Sequence, residues 1–583
     1  MPLRVRIARG LAATSVVAAL VGVAELVEPQ LAATAKYPEP RFPAYLKPPK
    51  TVDDVMPAAR EIVRNKNGIQ GAGMGVLQKG DGVLLVPTIE AEPMILDAIG
   101  KALGERGVKV DVKYNYELVG VPREDAAALL KQRESFTSED GYMEAVGWIE
   151  NQFADPEVPK RWLKERRPEL YAKLFPRSRE MTPHTKQVWE KLKRDSVGPG
   201  IVAYLGKHPE LRGAYWGKGG STGLRRALNP VPQKFLGILW QDNRYEVMSQ
   251  IGSFPADVWQ LSEEKTLEPL AHVDQIRVTD PEGTDITADV NEVQAQRWAQ
   301  GSYQRGHLYM FPNQATGRFG YSVVDYPAFQ KQWLPREPIV RANGVIAGTH
   351  NHVGMYPRWE VRFKDGYIVG VVGGGTYGDI LREFLQYPGT QDLVYPFHKN
   401  PGFWYLYEAA FGTHPKYFRN PKELMEGSLG PDRLHAGVIH WGLGIRLWHD
   451  PDGPVESKQW MEFTAKHNVP RDHSFHTHTY FSTYRVRIRG ANQWVDILDK
   501  GRMTSLDDPE VKALASRYGD PARILADDWI IDMPGVSAPG SYEQYAKDPW
   551  TYEKAVVDKA VAGTYEYYYP RPGAAAAARA GGE

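Results

Sequence analysis

The sequence predicts an α/β protein: an N-terminal, mostly parallel α/β domain with a helical insertion, followed by a β-rich α+β domain with a metal site. In the first half, apolar strand-like runs alternate with amphipathic helical segments, which is typical of a parallel sheet with crossover helices. From about residue 300, short runs separated by Asp and Gly turns indicate antiparallel strands. Histidine is concentrated in this second half, where 11 of the 15 histidines lie beyond residue 340.

The N-terminus has the pattern of a secretory signal peptide over residues 1–35. A basic start with Arg4, Arg6 and Arg9 precedes an apolar run over 11–23, and small residues at 33–35 suit cleavage. The apolar run is shorter than the roughly 20 residues that span a bilayer, and no later segment is long and apolar enough. We therefore expect a secreted or periplasmic protein without a stable membrane span after signal removal.

A proline-rich, extended lead over residues 36–75 precedes the first regular elements, because closely spaced prolines prevent a regular helix. After it, the buried run 81–87 predicts a strand, residues 89–107 predict a helix that ends on Gly107, and 108–112 predict the next strand. This is a βαβ unit.

The same alternation returns later in the first half. Residues 234–240 predict a strand, 255–273 a helix with proline in its first turn, and 275–279 a further strand. We expect all of these in the parallel sheet of one α/β domain over residues 76–290. The charged stretch at about 123–200 has helical spacing and predicts an insertion on that sheet.

The β-rich, metal-binding domain is predicted over residues 291–570, and the Ala/Gly-rich tail 571–583 is predicted to be disordered. Within this domain, residues 361–372 contain Asp365-Gly366 between two apolar runs. This dipeptide favours the left-handed backbone of a two-residue hairpin turn. The segment therefore predicts a β-hairpin.

Composition excludes several classes of partner and site. The chain has 71 basic and 71 acidic residues, so its formal charge of zero does not favour a nucleic-acid partner. It contains no cysteine, which excludes disulfides and thiolate ligands. The glycine-rich stretch 217–223 lacks the lysine position of a phosphate-binding loop. A metal would have to bind to His, Asp, Glu or Tyr.

One run in the second half has metal-ligand spacing. His473, His476 and His478 fall within a short segment, and a strand would point His476 and His478 to the same face. Imidazoles that share a face of a sheet can bind one ion.

Four motifs in order resemble those of metal-dependent aminopeptidases of the aminopeptidase T and aminopeptidase S type, which share their fold with dihydroxypyridine ring-opening dioxygenases. Gly283-Thr284-Asp285-Ile286 matches a strand end that precedes the hairpin. Then follow Glu-x-x-x-Gly-x-x-Pro at 408–415, Gly-x-x-His-x-x-x-Gly at 437–444, and His-x-His at 476–478. The likeness covers about residues 75–120 and 230–505, and the order of the motifs is more specific than any one of them.

The resemblance implies that Glu408 is a metal-bridging carboxylate and that His440 and His476 are ligands. His478 stands where the family has an aspartate, and it can still bind a metal through an imidazole nitrogen. His435 replaces a family glutamate and is a further candidate ligand. His467 and His473 match no family ligand.

Other positions depart from the family pattern. Where the family has an early glutamate ligand, this chain has Gln314 or Thr316, and Leu447 stands in place of a tyrosine. Two neighbouring ions need bridging carboxylates to offset their charge, and Glu408 is the one matched acid. The donor set therefore fits one divalent ion better than two.

The favoured function is metal-dependent hydrolysis of an amide or peptide bond, resembling aminopeptidase T, with zinc, cobalt or manganese. In this hypothesis His440, His476 and His478 hold the metal, while Glu408 binds it or acts as general base. One alternative is a mononuclear non-haem iron(II) dioxygenase that cleaves an aromatic ring. Another is a non-catalytic structural relative of the same fold. The expected partner is a small-molecule or peptide substrate, and the resemblance implies a homodimer.

Overall fold

The computed structural model describes much of the chain between residues 49 and 555, all within the compact unit Tyr37–Glu583. The described ranges are 49–68, 71–89, 91–132, 164–165, 168–174, 181–192, 194–216, 234–237, 254–290, 292, 295, 306–311, 341–351, 354–386, 406–417, 433–444, 474–527, 533–553 and 555. The proposed signal peptide, the glycine-rich stretch 217–223 and the tail 571–583 lie outside them. In the described part, no helix combines the length and apolarity needed to cross a membrane.

A short antiparallel pair, β1 Asn67–Gly68 and β2 Gly71–Ala72, comes first along the chain. A parallel sheet follows it. Its described strands run in the order β4–β3–β5–β6, and every neighbouring pair is parallel. Their bounds are β3 Gly82–Pro87, β4 Lys109–Val112, β5 Leu211–Trp216 and β6 Phe235–Leu236. β3 is buried along its whole length, as expected for a central parallel strand covered on both faces. Helix α2, Pro93–Glu105, connects β3 to β4, which confirms the predicted βαβ unit.

Helices surround this sheet. α1, Val52–Arg64, starts at a capping box in which Thr51 and Asp54 satisfy each other's backbone groups. This helix corrects the expectation of an extended lead over residues 36–75, because the closely spaced prolines end at Pro49 and the one proline that follows in this range, Pro57, lies within the helix. Between β4 and β5 lie α3 Asn115–Leu118, α4 Arg123–Gln132, α5 Pro168–Leu174, α6 Pro183–Leu192 and α7 Arg194–Lys207. β4 and β5 are the two neighbours of β3 in the sheet, and these helices lie between them in the chain. The charged stretch 123–200 predicted such a helical insertion.

The second sheet is antiparallel and large. It contains twelve described strands, and ten of them follow the order β18–β17–β16–β7–β8–β10–β15–β14–β13–β9, while β11 and β12 branch from β10. Their bounds are β7 Val273–Thr279, β8 Asp285–Asp289, β9 His307–Phe311, β10 Ala342–His350, β11 Met355–Lys364, β12 Tyr367–Gly373, β13 Leu406–Gly412, β14 Ile439–Gly444, β15 Ser474–Thr479, β16 Thr483–Ile488, β17 Trp494–Asp499 and β18 Arg502–Met503. The predicted α/β class with a β-rich second half is confirmed.

Strand β7 corrects one expectation. The sequence placed residues 275–279 in the parallel sheet after a second helix. The helix is present as α8, Ala256–Leu270, but β7 pairs antiparallel with β8 and β16. Val273, Ile276 and Val278 are buried in the core of the antiparallel sheet, so β7 and α8 pack there. Ile276 and Val278 are buried while Arg277 between them is exposed, an alternation that suits an antiparallel strand with one solvated face but does not identify its pairing partner.

The hairpin predicted from Asp365-Gly366 is present. β11 and β12 pair antiparallel with Lys364 opposite Tyr367, so the two turn residues connect the strands directly. Asp365 has φ of 50° and Gly366 has φ of 85°, the left-handed backbone that a two-residue hairpin turn requires. The strand β10 pairs along the outer edge of this hairpin.

Strand β10 also joins two parts of the antiparallel sheet. Residues 342–345 of β10 pair with β8, whereas its last residue, His350, pairs with His478 of β15. Beyond this contact the sheet continues with β15, β14 and β13.

The remaining described α-helices are α9 Gly375–Leu385, α10 Pro509–Ala515, α11 Pro521–Ile524 and α12 Tyr542–Lys547.

Candidate metal centre

In strands β13, β14 and β15, the core residues lie on one face of the sheet and the candidate site residues lie on the other. Successive strand residues point to opposite faces, so odd and even positions of β14 lie on different sides of the sheet. The apolar side packs in the core and includes Ile439, Trp441, Leu443 and Phe475. The other side carries His440, Gly442, His476 and His478. The apolar residues thus fix which face the histidines take.

The register then aligns the site residues in two rows. Gly442 lies opposite His476 on β15 and opposite Glu408 on β13. In the next row, His440 lies opposite His478. Directly opposite residues in an antiparallel pair have side chains on the same face, a short distance apart. Three strands that are far apart in sequence therefore present their polar side chains together.

Glu408, His440 and His476 form a compact group of donors. One possible ligand atom from each lies within 4.8 Å of the others. The His440 Nε2 atom is 3.4 Å from Glu408 Oε1, and the rings of His440 and His476 stack with centroids 4.8 Å apart. All three side chains are buried, with Glu408 at 2% exposure and both histidines at 0%. A buried carboxylate beside two imidazoles is a suitable donor set for a divalent ion.

Gly442 lies between two members of this group and has no side chain. It stands in register between Glu408 and His476, and it places no side chain between them. Any other residue would direct its Cβ into the middle of the row, because opposite residues share a face. A glycine at this position therefore adds no side-chain atom to the row that holds the carboxylate and the imidazole. The residues present fit a metal.

His478 lies beside this donor group and contacts His440. Its Nε2 atom is 3.3 Å from His440 Nδ1, and the two ring centroids are 5.4 Å apart. His440 thus has Glu408 at its Nε2 edge and His478 at its Nδ1 edge. His478 is fully buried and is not part of the three-residue donor group found among the described residues.

Tyr377 on α9 fixes the backbone at His476. Its hydroxyl donates to the His476 carbonyl at 3.1 Å and accepts from the His476 N–H at 2.9 Å. β10 pairs with β15 at His478. At His476 the Tyr377 hydroxyl forms the backbone hydrogen bonds that a neighbouring strand would otherwise form. Its ring packs against Tyr356, Trp359 and Phe475. The aromatic core thereby fixes the backbone position of His476.

The other candidate histidines occupy different surroundings. His435 is buried, and its Nδ1 is 2.7 Å from the carbonyl oxygen of Ala436. His435 pairs with His414 by a backbone bridge, and it is not in the donor group. His414 accepts a hydrogen bond from the Lys416 N–H and packs against aromatic rings. His467, His473, Gln314, Thr316 and Leu447 lie outside the described residues.

A second buried polar cluster lies where β8 and β10 meet the C-terminal segment. Glu282 Oε1 accepts from the Thr349 hydroxyl at 2.8 Å and from the Tyr542 hydroxyl at 3.2 Å. Burial raises the pKa of Glu282 to about 8, and the charge of Asp280 adds to this effect. Burial also raises the pKa of Asp280 to about 6. Glu282 is thus held in its neutral form over an unusually wide pH range.

His350 adjoins this second cluster. Its Nδ1 is 2.9 Å from the Thr349 hydroxyl, and its Nε2 is 3.5 Å from the Tyr545 hydroxyl. The carboxylate of Glu553 lies 4.0 Å from the same Nε2. The C-terminal segment therefore packs against the end of β10 through polar contacts.

The structure brings together Glu408, His440, His476 and His478, which the sequence predicted as site residues. The sequence did not predict the places of Gly442, Tyr377 and Glu282. The roles of Gly442 and Tyr377 depend on contacts between distant strands and on α9, which leave no local pattern. A signal for Glu282 was present, since Asp280 and Glu282 follow the end of β7 and directly precede the recognised 283–286 motif. Whether such acidic residues are buried depends on the residues that pack against them, and for Glu282 these are Thr349 and Tyr542, which are distant in sequence.

No family model and no curated protein sequence matches this chain. Among solved structures, it is similar to 2,5-dihydroxypyridine dioxygenase from Pseudomonas putida, with 10% identity, a TM-score of 0.33, and coverage of 78% of this chain and 98% of that one. It is also similar to AmpT from Thermus thermophilus, with 13% identity, a TM-score of 0.33, and coverage of 78% and 100%. Neither likeness assigns a family or a function.

Proposed function

We propose that the protein is a mononuclear divalent-metal enzyme that hydrolyses amide or peptide bonds. The observation that carries this proposal is the buried group of Glu408, His440 and His476, whose donor atoms lie within 4.8 Å of one another. Two imidazoles and one carboxylate are the protein ligands of catalytic zinc in known metallopeptidases. Such a set leaves a further coordination position open.

The charge of the donor group supports one ion rather than two. Two ions about 4 Å apart need bridging carboxylates, since each added positive charge repels the other. Glu408 is the one carboxylate in the group, and His440 and His476 bind a metal as neutral imidazoles. One divalent ion would leave a net charge of about +1 at the site.

The residues have separate tasks in this proposal. A zinc, cobalt or manganese ion, when bound, supplies an activated water and polarises a substrate carbonyl. His440 and His476 fix the position of the site through their strands, and burial keeps bulk water away. Glu408 balances charge through Oε1, beside His440, and its second oxygen can accept a proton and hold it for the leaving amine.

A second function is favoured by the composition of the same group. Two histidines and one carboxylate with open positions are also the ligands of non-haem iron(II) oxygenases. Glu408, His440 and His476 would hold iron(II), and the space beside Gly442 would admit the substrate. An aromatic ring-opening dioxygenase is therefore the second candidate.

Metal content and activity together separate these functions. The protein is purified without added metal, its metals are quantified, and peptide hydrolysis and oxygen uptake are measured with Glu408→Gln as the matched isosteric control. The hydrolase proposal expects one zinc, cobalt or manganese ion per chain and hydrolysis that the control lacks. Stoichiometric iron with oxygen uptake would replace it by the dioxygenase. No bound metal after supplementation would overturn both enzymes and favour the structural relative.

We also propose that the protein is exported and acts as a homodimer on a small-molecule or peptide substrate. The basic and apolar pattern of residues 1–35 supports export. Mass measurement of the mature N-terminus in cell fractions tests it, and a full-length cytosolic chain would contradict it. Light scattering of the purified protein tests the dimer, which a monomer mass would exclude.

A further inference from the structure

The two ring nitrogens of His440 face different neighbours. Nε2 is 3.4 Å from Glu408 Oε1, whereas Nδ1 is 3.3 Å from Nε2 of His478. In an imidazole the two nitrogens lie on different edges of the ring, and their lone pairs or hydrogens point away from each other. An ion held by Glu408 and His440 Nε2 therefore lies on the side of His440 remote from His478.

Metal binding would fix the hydrogens of both rings. A histidine that gives its Nε2 lone pair to a cation carries its hydrogen on Nδ1, and this N–H requires an acceptor. His478 Nε2 is at hydrogen-bonding distance for that role. It can accept only as a neutral ring with its own hydrogen on Nδ1.

The surroundings of His478 keep it in this place. It is fully buried in β15, and its backbone pairs with His440 of β14 on one side and His350 of β10 on the other. His440 has strand neighbours on both sides as well, since it also pairs with Ala410 of β13. Neither ring can be redirected by a shift of its own strand without breaking these pairings.

From these contacts we propose that His478 is a positioning residue, which accepts the Nδ1 hydrogen of His440 and aims His440 Nε2 at the ion instead of binding the ion itself. This inference rests on the proposed metal site. It predicts a three-residue protein ligand set in which His478 determines affinity without contributing a donor atom. Second-layer partners of this kind are typically responsible for about 10- to 100-fold in metal affinity.

Two substitutions separate the acceptor role from the presence of a polar side chain. A glutamine at position 478 can place its carbonyl oxygen near the former Nε2, whereas the shorter asparagine reaches only the region of Nδ1. The variants His478→Gln, His478→Asn and His478→Ala are compared with the wild-type chain. His414→Gln serves as the control for replacing a buried histidine outside the donor group.

Cobalt(II) affinity is measured by competition with a chromophoric chelator, and the visible cobalt spectrum reports the ligand set. We expect His478→Gln to bind within a few-fold of wild type, and His478→Asn and His478→Ala to bind about 10- to 100-fold more weakly. All bound forms should keep the wild-type spectrum. Thermal unfolding confirms that each variant is folded, and His414→Gln should retain wild-type affinity.

The other outcomes decide against the inference in distinct ways. If all three substitutions change the cobalt spectrum, His478 is a ligand and the positioning role is wrong. If folded His478→Ala binds cobalt as tightly as wild type, His478 has no role at the site. If the wild-type chain binds no cobalt, zinc, manganese or iron, the proposed function fails, and this inference fails with it.

Discussion

At the scale of single residues, Gly442 determines how much space the donor group has. We predict that Gly442→Ala weakens metal affinity about tenfold or more, because its methyl group enters the packed row between Glu408 and His476. The fold should persist, since alanine is favoured over glycine in a strand by roughly 0.5–1 kcal/mol. Calorimetric metal titration measures the effect. Gly444→Ala, one row further along β14 and opposite Ser474, is the control.

Glu282 gives a residue-scale prediction about pH. Its pKa in the folded protein is about 8, whereas its ordinary value is 4.5. Between these values the folded chain keeps a proton that the unfolded chain has lost, so stability is highest below this window and falls as pH rises through it. One group contributes a slope of up to about 1.4 kcal/mol per pH unit.

The variant Glu282→Gln removes this titration. We expect its free energy of unfolding to decline less than that of wild type between about pH 5 and pH 8, as measured by urea denaturation. Glu543→Gln, which changes an exposed carboxylate paired with Lys547, should follow the wild-type curve. Parallel curves for Glu282→Gln and wild type would show that Glu282 titrates normally.

At the scale of elements, α9 supports β15 through one hydroxyl. Tyr377→Phe keeps the packed ring but leaves the buried N–H and C=O of His476 without that partner. We predict a loss of about 1–3 kcal/mol in unfolding free energy and weaker metal binding. Tyr518→Phe loses a hydroxyl contact to Asp257 at the surface, and it should cost less than about 0.5 kcal/mol. Equal losses in the two variants would contradict the role of Tyr377.

The elements also show which features the sequence can predict. The βαβ unit and the β11–β12 hairpin follow from local patterns, the burial of 82–87 and the turn at Asp365-Gly366. The pairing of β7 with β16 does not, because Thr279 and Thr483 are partners from distant parts of the chain. Similarly, His-x-His spacing places His476 and His478 on one face. Which nitrogen each ring presents depends on cross-strand neighbours.

At the scale of the whole molecule, a bound ion would connect strands that the chain brings together late. We predict that metal slows backbone hydrogen exchange in peptides from β13, β14 and β15, because an ion that binds the folded state alone suppresses local opening. Peptides from β3 and β4 should be unchanged, since they belong to a separate hydrophobic core. Mass spectrometry with and without metal measures this, and Glu408→Gln should show no protection. Uniform slowing across both sheets would contradict a local site.

The pairing of β7 with β16 also has a consequence for biosynthesis. The strands β7 and β8 leave the ribosome early and can pair at once, but the other edge of β7 gains its partner only after residues 483–488 are made. Until then, a row of open N–H and C=O groups on a strand with one apolar face is available to any other extended segment. A nascent or truncated chain that lacks β16 is therefore exposed to misassembly at this edge of β7, and a strand made late in synthesis protects the first strand of the antiparallel sheet.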